Sequence, residues 1–286
     1  MAVVGLPYVQ VPGASRSEKH DATAFKVGIY QYENVQTAGS TTGAFSYPSA
    51  TIGDKIILGE RVFYYARAGT SANVYPGQYY QAQIAGAAGN ANNANNAAPY
   101  VAAVAGSYTI QVTCSSNVTE TNLWSGGWMN IVNPAANTTV GTFRIYSTTP
   151  CANNAGTFYT TVTLFDPLPF AIPTTANVSL TQSKYDRPAL GNNQTAAPCG
   201  VPLIYVPQSN NTANTATFDN YFWMQTWGPA TVLANAVFVV GQNVGPGAES
   251  GKMANAANSA FIPILGRTMR VQGANNWALV DLTIAP

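Results

Sequence analysis

Three short segments repeat one pattern, and that pattern limits the chain to β structure. GSYTIQVT begins at Gly106, GTFRIYST at Gly141 and GTFYTTVTLF at Gly156. Each sets a glycine, a hydroxyl residue and an aromatic ahead of a run with period two. Successive side chains on a strand point to opposite faces, whereas a helix needs apolar residues every three to four positions. On period two, Tyr108, Ile110 and Val112 share one face. Phe143 and Ile145 share another, as do Phe158, Thr160, Val162 and Leu164, with Tyr159 turned away. No segment offers a ten-residue apolar stripe at helical spacing. Short strands separated by Asn, Gly and Pro turns mark a sandwich or barrel. The expected fold is all-β, with two β-sandwich or barrel-like domains behind an extended N-terminal arm.

The arm is expected over residues 1–50, which are irregular and hold the densest charge. Tyr8, Val9, Val11, Val27, Ile29 and Tyr30 give it apolar groups to lay on a neighbour. A β domain is expected over 51–170. Within it KIILGERVFYYARAG reads as two strands around a turn at Gly59, and PGQYYQAQIAG as a further strand. AAGNANNANNAAPYVAA reads as an exposed loop, and LWSGGWMNIV as a hairpin turned at Gly126–Gly127. Pro167, Pro169 and Pro173 cannot sit in a central strand, so FDPLPFAIP closes the domain. Residues 171–217 form an irregular connection. A small C-terminal β-barrel is expected over 218–286, with AVFVVGQNVG and WALVDLTIAP among its strands.

Charge is scarce. Asp, Glu, Lys and Arg make up 8% of the 286 residues, against about 25% in an ordinary domain. Such a surface suits a chain that is covered by partners, because charge is what keeps soluble monomers apart. The net charge is +1 and no run of Lys or Arg exists. Direct nucleic-acid binding, which draws on clustered cations, is therefore not expected. No stretch approaches the ~20 apolar residues of a membrane span. MAVVGLPYVQVPGAS lacks a basic start and is interrupted by Pro7 and Pro12, so it is not a signal peptide. Synthesis in a cytoplasm is the expectation.

Residues for chemistry are equally scarce. His20 is the one histidine and lies among charges in SEKHDAT, where it reads as solvated. A single histidine and scattered carboxylates supply no metal-ligand cluster, and no nucleotide- or cofactor-binding motif occurs. Cys114, Cys151 and Cys199 lack C-x-x-C spacing. They read as buried or half-buried free thiols, with one disulfide, Cys114 to Cys151, left open. Carboxylates such as Asp54, Asp186 and Asp219 would need to pair in space to hydrolyse sugars. Asp166-Pro and Asp186-Arg-Pro read as turn residues instead. No catalytic, metal or cofactor residue is assigned, and an enzyme is not expected.

The run NYFWMQTWGPATV, residues 220–232, is the remaining candidate. On a strand Tyr221, Trp223 and Gln225 share one face, and Phe222, Met224 and Thr226 the other. Both faces begin apolar, as in a strand buried on both sides or pressed against a subunit. Trp227-Gly228-Pro229 is expected to turn the chain. The run itself contains no Asp, Glu or Arg to hold sugar hydroxyls. Tyr221, Trp223 and Trp227, with Tyr8 and Val11 from the arm, are the candidate core or interface residues.

The order YFWMQTWGPATVLA, VVGQNVGPG, ILGRTMRV and WALVDLTI resembles the small β-barrel portions of tailed-bacteriophage capsid decoration, or cement, proteins. In these a strand runs into Gly-x-Ala/Val, then a Gly-x-x-Val strand, a Gly-Arg or Gly-x-Ala strand and a closing strand. GERVFYYARAGTSANVYPGQ is similar to a stretch common in phage virion proteins. The likeness covers residues 55–85 and 218–284, not the middle of the chain or the arm. It implies a non-catalytic protein on the capsid exterior that bridges neighbouring major capsid proteins, commonly as a homotrimer. The alternative is a carbohydrate-binding or host-attachment module on the virion surface, suggested by the aromatics and Asn-rich loops. A major capsid protein is disfavoured, because that fold usually brings a long helix and none is legible.

Overall fold

The structure, a computed structural model, describes residues 29–38, 48–83, 97–114, 122–133, 138–191, 196–209, 217–256, 263–270 and 273–286. Among them no helix occurs, and seventeen strands form two sheets. The all-β expectation is met.

The smaller sheet is built from one continuous stretch. It contains β5 (Thr109–Cys114), β6 (Trp128–Asn133), β7 (Thr138–Thr148), β8 (Ala152–Asn154), β9 (Thr157–Leu164) and β10 (Asn177–Thr181). The strand order is β10-β6-β7-β9-β5, with β8 also paired to β9. The three copies of the sequence repeat are β5, β7 and β9, and they lie side by side. Their inward residues are those that period two selects: Ile110, Val112, Ile145, Thr160, Val162 and Leu164 are buried. Tyr108 departs from that pattern and is exposed. The Ser107 hydroxyl accepts from Thr109 N–H and donates to Thr109 C=O, a local turn that aims Tyr108 outward.

The larger sheet takes the flanks of the chain. Before the small sheet come β1 (Glu33–Ala38), β2 (Lys55–Leu58), β3 (Arg61–Arg67) and β4 (Tyr80–Gln81). After it come β11 (Ala189–Leu190), β12 (Pro198–Pro202), β13 (Thr217–Leu233), β14 (Asn243–Pro246), β15 (Met253–Asn255), β16 (Gly266–Thr268) and β17 (Trp277–Thr283). β4 and β11 pair with each other, Ala189 opposite Gln81 and Leu190 opposite Tyr80. The chain thus leaves the large sheet at β4, builds the small sheet, and re-enters alongside the strand it left. The expected segment 51–170 accordingly contributes to both sheets. β10, within the expected connection 171–217, pairs with β6 of the small one. β1, inside the expected arm, is extended but lies antiparallel on β13 of its own chain.

β13 runs through seventeen residues and pairs with β1, β3, β12 and β17. Tyr221 faces Glu33 on one edge and Arg67 on the other. Trp227 faces Val62 and Thr283 in the same way. The turn expected at Trp227-Gly228-Pro229 is absent, and the strand continues through it. Three features make this possible. A register shift between Gln225 and Trp227 forms a bulge against β3, which absorbs one extra residue. Gly228 sits at φ +79°, a conformation costly for residues with a Cβ. The Gln225 amide donates to the carbonyls of Trp227, Gly228 and Pro229 at 3.0, 3.1 and 2.9 Å. Pro229 lacks an N–H to give a ladder, and the β3 pairing has already ended at Trp227 opposite Val62.

Two other expected elements also differ. Residues 122–127 are turns rather than a hairpin arm, with Leu123 and Trp124 buried beneath them. Gly126 packs so closely on Ile52 that a Cβ would stand 1.9 Å from the Ile52 carbonyl oxygen. That contact, with the Arg144–Asp54 ion pair at 3.1 Å, joins the small sheet to the large one. Residues 237–240 are loop, with Phe238 alone turned into the core and Val237, Val239 and Val240 exposed.

A Cβ at Gly228 would lie 2.5 Å from the Glu60 carbonyl oxygen. Gly228→Ala therefore combines backbone strain with a clash against backbone. It is expected to destabilise the protein by more than about 2 kcal/mol, read as a lowered denaturant midpoint. An unchanged midpoint would show that the strand does not pass through residue 228 as described.

Candidate interaction surface

The sequence candidates separate into core and surface. Tyr221 and Trp223 are buried, Trp223 with 1% of its surface exposed. Phe222, Met224, Gln225 and Thr226 are buried as well, so both faces of β13 are covered. Tyr65 of β3 stacks on Tyr221 at 5.5 Å and 8° and tilts against Trp223 at 5.0 Å. This aromatic layer assigns Trp223 to the chain's own core and removes it from any sugar shelf. Trp227 lies beyond the bulge and is 36% exposed. Tyr8, Val11 and His20 lie outside the described residues.

Polar groups at the start of β13 form a closed clasp. Arg67 donates to Asp186 through Nε at 2.7 Å and Nη2 at 2.8 Å, and to Asp219 through Nη1 at 3.2 Å. All three are buried. Burial, the largest single influence, opposes the guanidinium charge, but the charge and hydrogen bonds of Asp186 together with Tyr221 and Asp219 outweigh it and raise the Arg67 pKa, so the side chain stays cationic. Bidentate geometry makes such a pair strong and directional. Next to it Asn220 donates to the carbonyls of Pro207 and Gln208 and accepts from Asn34. Two carboxylates thus meet, as sugar hydrolysis would ask, but they close on a cation. Asp54 pairs with Arg144 and Glu249 with Lys252. Among the described residues no group of three or more His, Cys, Asp or Glu side chains is placed to hold a metal ion. Among the same residues no helix is long and apolar enough to cross a membrane.

The outer face of β13 and β17 carries several exposed large apolar side chains. The register of the two strands sets Trp227 opposite Thr283, Thr231 opposite Leu279 and Leu233 opposite Trp277. Ala278, Val280 and Leu282 point into the core, which leaves Trp277 and Leu279 outside. Trp277 is 53% exposed even though its ring lies on Gly77. Met269 extends the face, since its N–H donates to the Leu279 carbonyl, and it too is exposed. Arg267 and Asp281 face each other across β16 and β17 and set one opposite-charge pair in this surface. Trp277, Leu279 and Met269 adjoin one another at one end of the face, with Trp227 at the other beyond Asp281 and Thr283, and a cluster of exposed apolar residues marks an interaction site more often than single scattered ones do. Trp277, Leu279 and Met269 were not among the sequence candidates. The signal was present in WALVDLTI, which is apolar on both of its period-two faces near its start.

A second exposed aromatic pair sits elsewhere. Tyr75 and Tyr205 lie 5.6 Å apart and tilted, each nearly half exposed. The backbones beside them pair through Val74 and Val206.

Burial raises the pKa of Tyr65, Tyr79, Tyr80, Tyr185 and Tyr221, in Tyr80 to about 12. Tyr65 is raised further because its hydroxyl donates to Glu33. A raised folded-state pKa means that stability is intact below about pH 10, where unfolded tyrosines begin to ionise. It is then lost as pH rises through the folded values. Tyrosinate absorbance and far-ultraviolet circular dichroism are expected to change together above about pH 10. Full ionisation of the tyrosines near that pH with the fold intact would contradict this core.

Comparison with protein-family models, with curated proteins and with solved structures returns no match to this chain.

Proposed function

We propose that this chain is a non-catalytic structural protein of a virus particle. In this reading it decorates the outer surface of the shell, bridges neighbouring major capsid proteins and associates with copies of itself as a trimer. The observation behind the proposal is the apolar outer face of β13 and β17 in a chain with 8% charged residues. Few charges stand there to oppose association, and Trp227, Leu279 and Trp277 offer the aromatic and aliphatic anchors on which interfaces rely. The Gly-spaced resemblance to decoration proteins is what points to a capsid rather than to another assembly. Both stretches that carry it, 55–85 and 218–284, lie largely in the large sheet. Many weak copies of one contact on a shell would add to a stable whole.

Mixing the purified protein with undecorated heads tests the proposal. Binding, with a rise in the temperature at which the heads rupture, is expected; no binding and no rise would sink it. Leu279→Lys places a charge in the middle of the apolar face without touching the core. It is expected to weaken self-association at least tenfold, about 1.4 kcal/mol, as measured by light scattering over a dilution series. Unchanged association would free this face from the self-contact.

The Tyr75–Tyr205 pair favours a second reading, carbohydrate attachment, through exposed rings that stack on sugars. A glycan array with Tyr75→Ala and Tyr205→Ala would distinguish it. Signal lost in both variants supports this reading, and signal that survives both removes the pair from it.

A further inference from the structure

Cys114 ends β5 and Cys151 stands just before β8, and both strands pair with β9. Thr113 and Ala152 share Tyr159 as their partner, so the two cysteines approach β9 from opposite edges. Cys114 follows Ile110 and Val112 on the inward face of β5, and both cysteines pack on the core of the small sheet. Their sulfurs are 2.6 Å apart, closer than two unbonded thiols settle and within easy reach of the ~2.05 Å covalent length. Cys199 is elsewhere. It is buried in the core of the large sheet and donates to the Lys184 carbonyl at 2.8 Å.

We propose that Cys114 and Cys151 are a modification site, which closes to an intramolecular disulfide when the protein meets a low-molecular-weight disulfide such as oxidised glutathione. Cys114 is half-buried and Cys151 buried, so Cys114 is the thiol that reagent reaches. Its thiolate attacks one glutathione sulfur, the glutathione disulfide breaks, and the first glutathione leaves as a thiolate. Cys151 then attacks the Cys114 sulfur of the mixed disulfide and releases the second glutathione. The two protein thiol protons end on the two glutathiones. The protein loses two hydrogens and two electrons, and one glutathione disulfide is reduced. Burial pushes the Cys114 thiol up, so closure is slow near neutral pH and quickens as pH rises.

The bond would close a loop between positions separated by 37 in sequence, which holds β6 and β7. It would tie the end of β5 to the turn that leads into β8. Ordering a loop of that length in the unfolded chain raises the melting midpoint by roughly 10 °C. A protein that folds with reduced thiols thereby gains a lock on passing into oxidising surroundings. This inference does not depend on the assembly reading above.

The test equilibrates the full chain with oxidised and reduced glutathione at pH 8, then alkylates it after unfolding and maps the peptides by mass spectrometry. The expected product is a peptide pair joined through Cys114 and Cys151, with Cys199 alkylated. The oxidised protein is expected to melt roughly 10 °C above the reduced protein. Cys199→Ser should keep that redox-dependent difference and Cys151→Ser should lose it. Three alkylated cysteines, a stable glutathione adduct on Cys114, or a link through Cys199 would overturn the proposal. The wild-type peptide map decides the matter even where a variant fails to fold.

Discussion

β13 is the strand on which the large sheet depends. Tyr221, Met224, Gln225 and Trp227 are each paired on both edges, and the residues from Tyr221 to Thr226 are buried on both faces. Each aromatic buried along this strand, Tyr221, Phe222 and Trp223, adds apolar area to the core. Its first half feeds the cluster around Phe63, Tyr65 and Trp223, and its second half the cluster around Val232, Phe238 and Val280. One continuous strand therefore joins two cores. The junction falls at the Gln225 bulge, where a buried amide holds three successive carbonyls that the ladder alone would leave irregular.

The charged clasp at the start of β13 serves the same strand from the other end. Arg67 comes from β3, Asp219 from β13, and Asp186 from the segment that returns from the small sheet. A buried ion pair is weak evidence for net stability, because desolvation offsets much of its attraction. Its geometric demand is strict, however. A bidentate fork accepts one register of β3 on β13 and one position of residue 186. The clasp thus selects where the returning chain docks, while the aromatic layer beside it adds apolar burial to the same core.

Several features are legible in the sequence. The repeated period two located β5, β7 and β9 and their inward residues, because side-chain alternation is a property of a strand by itself. The double-faced pattern of Tyr221 to Thr226 announced a strand without a solvent side. The hairpin at Gly59 joins β2 to β3 as read. The misreadings share a cause. Gly228-Pro229 looked like a turn because both residues break strands in isolation, but the Gln225 amide and the edge left free by β3 hold them in line. Tyr108 and Val237 were assigned to strands because local composition favours them, whereas the ladders begin elsewhere. Of the candidate surface, Trp227 was in view; Leu279, Trp277 and Met269 were not, because whether an apolar strand face is covered depends on what lies across from it.

By itself the sequence determined that the chain is all-β, which residues of its regular strands point the same way, and that few charges cover its surface. These follow from covalent geometry and composition, which need no knowledge of neighbours. Only the tertiary structure decided which strand pairs with which, that the small sheet is inserted between β4 and β11, and that Trp223 is enclosed while Trp277 is not. Backbone donors and acceptors are the same on every strand, so a ladder can form between any two of them. The choice is made by the joint fit of distant side chains, Tyr65 on Trp223 and Arg67 on Asp186, and those meetings exist only in three dimensions.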